Sequence, residues 1–102
     1  VVIKYVNTSA NGAVDLQDIY EIAKTYNLND ILIECGNTLS KHLIQENAVD
    51  EFMLFVAPKI IGDKGFSFSG IDPVQKLKDK ISLRISEIVP IKNDLYINLR
   101  KQ

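Results

Sequence analysis

The order of apolar runs and helical stretches is the feature that most constrains the fold of this sequence. Residues 1–6, 31–33 and 52–57 are short apolar runs, and the stretches between them carry apolar residues at helical spacing. Such runs predict strands, and a helix between two strands predicts a crossover that makes them parallel. We therefore expect a mainly parallel sheet with helices on its faces.

The two predicted helices have clear beginnings and ends. Asp15 can cap the first helix, because its carboxylate can accept hydrogen bonds from backbone N–H groups of the first turn. The turn-forming residues 27–29 end that helix, and the second helix covers residues 38–45. The apolar positions predicted to face inward are Leu16, Ile19, Ile22, Ala23, Tyr26, Leu39, Leu43 and Ile44.

The C-terminal part has a different periodicity. Apolar and polar residues alternate there, which predicts strands with one solvated face, and the apolar set is Ile81, Leu83, Ile85, Leu95, Ile97 and Leu99. Residues 92–94, Lys-Asn-Asp, predict a hairpin turn between the two strands. Residues 59–79 are predicted to form a loop with one helical turn near residues 74–77. The predicted fold class is α/β, with a mixed, mainly parallel sheet and a C-terminal antiparallel hairpin.

Length and composition limit the function. The 102 residues support a single domain, residues 1–102, and a net charge of -1 with 25% charged residues is typical of a globular protein. The chain lacks the basic block that nucleic acid binding needs and the roughly 20-residue apolar run that a membrane span needs. We predict neither nucleic acid nor membrane as a partner. A single cysteine excludes an internal disulfide and favours the cytoplasm.

The first residue is Val1 rather than Met, and the opening residues read as the middle of a strand. We therefore expect this chain to be a segment of a longer protein.

A candidate ligand site lies where the run 31–33 meets the second helix. Ligands of open α/β sheets bind beyond the carboxyl ends of strands, and Glu34 occupies such an end. Gly36 permits close backbone approach, and a helix that begins at Asn37 or Thr38 offers free N–H groups and a positive partial charge. This predicts a phosphate or nucleotide site, with Glu34 facing the sugar or the reacting part of the ligand.

The same strand, glycine turn and helix also occur in α/β proteins that bind nothing there. The pattern is neither GxGxxG nor a P-loop, so a purely structural turn remains the alternative. His42 has no Cys or His at metal-ligand spacing and is interpreted as a packing or surface residue. Cys35 has no histidine close in sequence to activate it. We predict no catalytic residue and no metal.

Several motifs in one order resemble a known family. The stretch VDLQDIYEIAKTYNLNDILIECGNTLSKHLIQENAVDEFMLFVAPKIIGDKG is similar to the reductase half of the bifunctional riboflavin-biosynthesis deaminase/reductase. The matching motifs are Val14-Asp15-Leu16, Ile33-Glu34-Cys35-Gly36, Thr38-Leu39, Ala48-Val49-Asp50-Glu51, Ala57-Pro58-Lys59 and Ile61-Gly62. The resemblance runs from about Gly12 to the C-terminal hairpin.

The resemblance implies a dihydrofolate-reductase-like fold, of which this chain is the C-terminal part. It implies reduction of a ribosylaminopyrimidine phosphate by NADPH. Because a sheet that begins at Val1 and the C-terminal hairpin leave strand edges unpaired, and reductases of this kind often pair through their sheets, we also expect a homodimer. By the same resemblance Glu34 binds the substrate near its sugar. The cofactor's phosphates are held by the residues Cys35, Gly36, Asn37, Thr38 and Leu39.

Two departures from the family qualify these expectations. Cys35 stands where the family has the first glycine of a pair, so its side chain would crowd a positive-φ backbone or narrow the pocket. The family's reductase half is also longer and follows a zinc deaminase half, so this chain alone is not expected to be active. Another dihydrofolate-reductase-like reductase, or a non-catalytic binding or assembly module, is the alternative function.

Overall fold

The computed structural model describes residues 1–10 and 12–102. Within these residues the elements are α1 (Leu16–Thr25), α2 (Asn37–Gln45), β1 (Glu51–Val56), a 3-10 helix (Leu77–Asp79), β2 (Leu83–Ile91) and β3 (Asp94–Lys101). The strands form a sheet in the order β1-β3-β2, and β3 pairs antiparallel with both neighbours.

The predicted C-terminal hairpin is confirmed. β2 and β3 are joined by Lys92 and Asn93, and Lys92 has a φ of 56°, which two-residue hairpin turns require at their first position. On its other side β3 pairs with β1, where Glu51 lies opposite Arg100 and forms an ion pair with it. The C-terminal strand is therefore the centre of the sheet.

A β-bulge interrupts the alternation of inward and outward side chains along β2. The register shifts between Ile85 and Glu87, so Ile85 pairs with Leu99 while Ile88 pairs with Ile97. Because the bulge adds one residue, both isoleucines lie on the same face of the sheet. The sequence pattern had placed only the first of them.

Ser86, the extra residue of the bulge, binds the centre of β3. Its hydroxyl donates to Asn98 Oδ1 at 2.5 Å, and Asn98 Nδ2 donates to Tyr96 Oη at 3.2 Å. Asn98 is only 8% exposed. Both ends of its amide are thus hydrogen-bonded, as a buried polar group requires.

The predicted helices are confirmed. Asp15 caps α1 by accepting a hydrogen bond from the Gln17 N–H at 2.9 Å. The inward positions include Ala23 and Leu43, which are the buried apolar residues of the described chain. The short helix of the loop forms at Leu77–Asp79, three residues later than expected.

An asparagine in the left-handed conformation lies two residues after the last residue of each α-helix. Asn27 follows α1 with a φ of 53°, and the next N–H, that of Leu28, donates to the Ala23 carbonyl at 2.9 Å. After α2, Asn47 has a φ of 58° and the Ala48 N–H donates to the Leu43 carbonyl at 2.9 Å. This is the Schellman arrangement, which satisfies carbonyl groups that the helix end leaves free.

The expected mainly parallel sheet is wrong. Residues 1–6 and 31–33 form no strand within residues 1–10 and 12–102, and Ile31, Leu32 and Ile33 are 45%, 72% and 39% exposed. A strand is stabilised by hydrogen bonds to a neighbouring strand. The described part of the chain offers neither run such a neighbour, so apolar composition alone does not make a strand.

Residues 52–57 were expected to form a buried strand. The strand is confirmed, but the expectation that it is buried is wrong. β1 is an edge strand, and Met53, Phe55 and Val56 are exposed. The radius of gyration, 15.8 Å, exceeds the roughly 13 Å typical of a compact chain of this length. Much apolar surface of the sheet and of the run 31–33 therefore faces solvent in this chain.

We predict that Asn27→Ala lowers the free energy of unfolding by about 1 kcal/mol, because alanine tolerates a left-handed backbone less well than asparagine. Asn27→Gly is the matched control and should be neutral or stabilising, because glycine adopts this conformation freely. Thermal unfolding of both variants measures the difference. Equal stability of the alanine and glycine variants would contradict this interpretation of the helix end.

Candidate functional site

The candidate site is built around the first turn of α2. Gly36 is the N-cap, and the first hydrogen bond that closes the helix runs from the Ser40 N–H to the Gly36 carbonyl at 3.0 Å. The N–H groups of Asn37, Thr38 and Leu39 precede that bond and have no carbonyl within the helix to bind. Among the described residues no side chain caps this end of α2. These donors are therefore available to an anion.

The space beside the N-cap is open on the side where a side chain of Gly36 would lie. A Cβ atom built on Gly36 would meet no atom of the described residues within 4 Å. The first turn of α2 contains no acidic residue, so no carboxylate there offsets the positive end of the helix dipole. The geometry suits a phosphate group, which needs room and several N–H donors.

The backbone at this turn differs from expectation. Gly36 has a φ of −79° and a ψ of 177°, and Cys35 is not among the described residues with positive φ. Any residue can adopt such angles. Of the two expected effects of Cys35, the crowding of a positive-φ backbone is therefore wrong, and the narrowing of the pocket stays a prediction. The thiol is exposed and free.

Glu34 lies two residues before the N-cap, in a segment without regular structure. Its side chain is exposed and makes no hydrogen bond or ion pair with residues 1–10 or 12–102. The carboxylate is thus free to accept hydrogen bonds from a ligand beside the helix end. Glu34 lies near the start of α2 because only Cys35 and Gly36 separate it from Asn37 in the sequence.

The side chains of the first turn have different positions. Thr38 is exposed, and its hydroxyl lies 3.5 Å from Asn37 Oδ1, which is too long for a strong hydrogen bond. Leu39 is half-buried. Thr38 can therefore offer its hydroxyl to a ligand, whereas Leu39 can offer its backbone N–H.

Sequence reasoning missed Gly70, which touches this turn from another part of the chain. Its φ is 61°, and a Cβ built on it would lie 2.4 Å from the Asn37 carbonyl oxygen. The loop of residues 67–72 thus passes directly against the first residue of α2. The clustered serines and glycine of this loop were visible in the sequence, but nothing there showed what they contact.

His42 has a structural position, as interpreted from the sequence. Its Nε2 lies 3.1 Å from the Val14 carbonyl oxygen and can donate a hydrogen bond to it, which joins α2 to the segment before α1. The part of the chain that the structure describes contains no group of three potential metal ligands. None of its helices has the length and apolar character of a membrane span.

The chain is similar in sequence and fold to known proteins. The chain is 31% identical over 88 residues to the riboflavin biosynthesis protein RibD of Buchnera aphidicola subsp. Baizongia pistaciae, covering 86% of this chain and 24% of that protein. It is 25% identical over 89 residues to the 5-amino-6-(5-phosphoribosylamino)uracil reductase of Buchnera aphidicola subsp. Acyrthosiphon pisum, covering 87% of this chain and 43% of that protein. It therefore spans less than half the length of these relatives.

A solved structure of Acinetobacter baumannii RibD shares the fold, with a TM-score of 0.78 and 24% identity over 84% of this chain and 24% of that one. The profile of the RibD C-terminal domain matches residues 2–96. Since this match covers nearly the whole chain, the chain belongs to the RibD C-terminal domain family.

Proposed function

We propose that this chain is part of an NADPH-dependent, cytoplasmic reductase of riboflavin biosynthesis, which reduces a ribosylaminopyrimidine phosphate to its ribityl form. The observation that carries the proposal is the open, uncapped start of α2 in a chain of the RibD C-terminal domain family. The name of one relative, 5-amino-6-(5-phosphoribosylamino)uracil reductase, supports the substrate class. The chain covers only part of each relative, so we propose that residues outside it complete the active site.

The residues present fit a dinucleotide phosphate at the start of α2. The N–H groups of Asn37, Thr38 and Leu39 would donate to phosphate oxygens, and the absence of a side chain on Gly36 leaves room for them. Cys35 would line the same space beside the glycine. NADPH, when bound, supplies the hydride, and the protein's part is to position and orient the reactants.

Glu34 would bind the substrate. An ionised carboxylate accepts hydrogen bonds, and the hydroxyl groups of a ribose can donate them. Because Glu34 precedes the phosphate site by only two residues, its carboxylate would hold the sugar near the bound cofactor. This arrangement orients the sugar carbon that accepts the hydride.

We also propose that the protein is a homodimer. β1 and β2 are edge strands of the described sheet, and β2 exposes Ile85 and Ile88. An edge strand leaves N–H and C=O groups unpaired, and apolar side chains beside them favour pairing with another chain. The part of β2 before Pro90 suits this pairing best, because proline lacks the N–H donor.

We predict that the 102-residue chain binds NADPH weakly, with a dissociation constant no tighter than roughly 100 μM, about -5.5 kcal/mol. The phosphate donors are local to α2, but the rest of the proposed pocket lies outside this chain. Isothermal titration calorimetry measures the constant. A micromolar or tighter value would show that the cofactor site is complete here and that our view of the missing part is wrong.

We predict that Gly36→Val in the full-length gene product abolishes reductase activity and NADPH binding, because its branched side chain would fill the space that the phosphates need. The thermal midpoint should fall only slightly: valine is a poorer N-cap residue than glycine, but apart from the chain neighbours a Cβ here meets no described atom within 4 Å. Any deaminase activity of the same product should be spared.

Thr38→Val is the control for the Gly36 variant. It removes one hydroxyl and keeps the side chain's shape, so NADPH affinity should fall much less. Unchanged NADPH affinity in Gly36→Val would remove the phosphate site from the start of α2.

Sedimentation velocity at tens of micromolar tests the dimer. We expect a species of twice the chain mass of 11.5 kDa. Replacing Ile85 with lysine on the exposed edge should shift the population toward monomer, since charged edge residues oppose strand pairing. A single species at the monomer mass for the unmodified chain would contradict the proposal.

A further inference from the structure

The contact between Gly70 and α2 permits only glycine. A Cβ built on Gly70 would lie 2.4 Å from the Asn37 carbonyl oxygen and 3.0 Å from its carbonyl carbon. Real Cβ atoms do not approach backbone atoms so closely, so any side chain would displace either the loop or the start of the helix. The left-handed φ of 61° independently favours glycine here.

The loop that carries Gly70 is held on both sides of it. The Gly70 N–H donates to the Ser67 hydroxyl oxygen at 3.0 Å. Two residues later, Asp72 Oδ2 lies 2.7 Å from Lys41 Nζ, which belongs to the second turn of α2. The ion pair is weakened by solvent, because Asp72 is largely exposed. Together these contacts keep the Gly70 backbone against Asn37.

This contact bears on the site because the Asn37 backbone also forms the first turn of α2. The turn has no side-chain cap among the described residues, and the space in front of Gly36 is open. The space at the Gly36 Cβ position is therefore free for a ligand, while Gly70 lies against the Asn37 carbonyl of the same turn. A shift of the Asn37 carbonyl would rotate the peptide planes that present the first N–H groups.

We propose that Gly70 is a positioning residue for the cofactor's phosphates. The inference rests on the proposed function, since it assigns Gly70 to the same site. Gly70 does not touch the cofactor. It sets the position of the N–H donors of residues 37–39 through the Asn37 carbonyl, and an alanine there would weaken NADPH binding while leaving the substrate contacts of Glu34 in place.

The test compares Gly70→Ala with Gly62→Ala in the full-length gene product. Gly62 also has a positive φ, 84°, but a Cβ there would meet no described atom within 4 Å. The pair therefore shares the backbone strain and differs in the contact with Asn37. Hydrogen exchange of the peptide that covers residues 36–43 reports the helix start, and titration with NADPH reports the site.

We expect Gly70→Ala to speed exchange at the start of α2 several-fold and to weaken NADPH binding at least fivefold relative to Gly62→Ala. The KM for NADPH should rise more than the KM for the pyrimidine substrate. Equal exchange in the two variants would overturn the proposed contact. Faster exchange with unchanged NADPH affinity would overturn the positioning role.

Two further outcomes are distinguishable. If the unmodified protein does not bind NADPH, the proposed function fails together with the positioning role, whereas the exchange comparison still reports the contact with α2. If Gly70→Ala unfolds the protein, Ser67→Ala decides, because it removes only the acceptor of the Gly70 N–H. Unchanged exchange and unchanged NADPH affinity in Ser67→Ala would then overturn the proposal.

Discussion

The two-sided antiparallel pairing of β3 is the interaction on which the rest of this structure depends. β3 is hydrogen-bonded on one side to β2, which a tight hairpin joins to it. On the other side it is hydrogen-bonded to β1, which lies much earlier in the chain. The end of β3 also reaches α2, because Lys101 Nζ donates to the Asn47 carbonyl oxygen at 2.9 Å and to its Oδ1 at 2.5 Å. This exposed lysine links the end of the sheet to the turn after α2, while Gly70 contacts the N-terminal end of the helix.

Those features that depend on neighbouring residues could be predicted from the sequence. The Asp15 cap, the helical periodicity and the Lys92 turn each involve a few consecutive residues. The bulge at Ser86 was partly predictable. The three-residue spacing of Ile85 and Ile88 breaks the alternation of apolar and polar residues, which indicates an irregularity in the strand. Neighbouring residues thus specify where these elements begin and end, while tertiary packing supplies most of the stability of helices this short.

The parallel sheet could not be judged in this way, because a strand requires a partner. The run 31–33 has strand composition, yet in the described residues no neighbouring strand meets its N–H and C=O groups. The same limit applies at the site. Glu34 to Leu39 were recognisable because a glycine and a helix start are adjacent in sequence, whereas the contact of Gly70 with Asn37 joins distant segments and left no local pattern.

Gly36 and Gly70 serve the start of α2 in opposite ways. Gly36 has ordinary extended backbone angles and open space where a side chain would be. The absence of a side chain at Gly36 therefore leaves room beside the start of α2. Gly70 has a left-handed φ, and the Asn37 carbonyl oxygen occupies the space where a side chain would be. The absence of a side chain at Gly70 therefore lets its backbone approach α2 closely. Substitutions at the two positions should therefore differ in kind. Under the proposed function, a side chain at Gly36 would obstruct the cofactor's phosphates, whereas one at Gly70 would displace the loop or the start of α2.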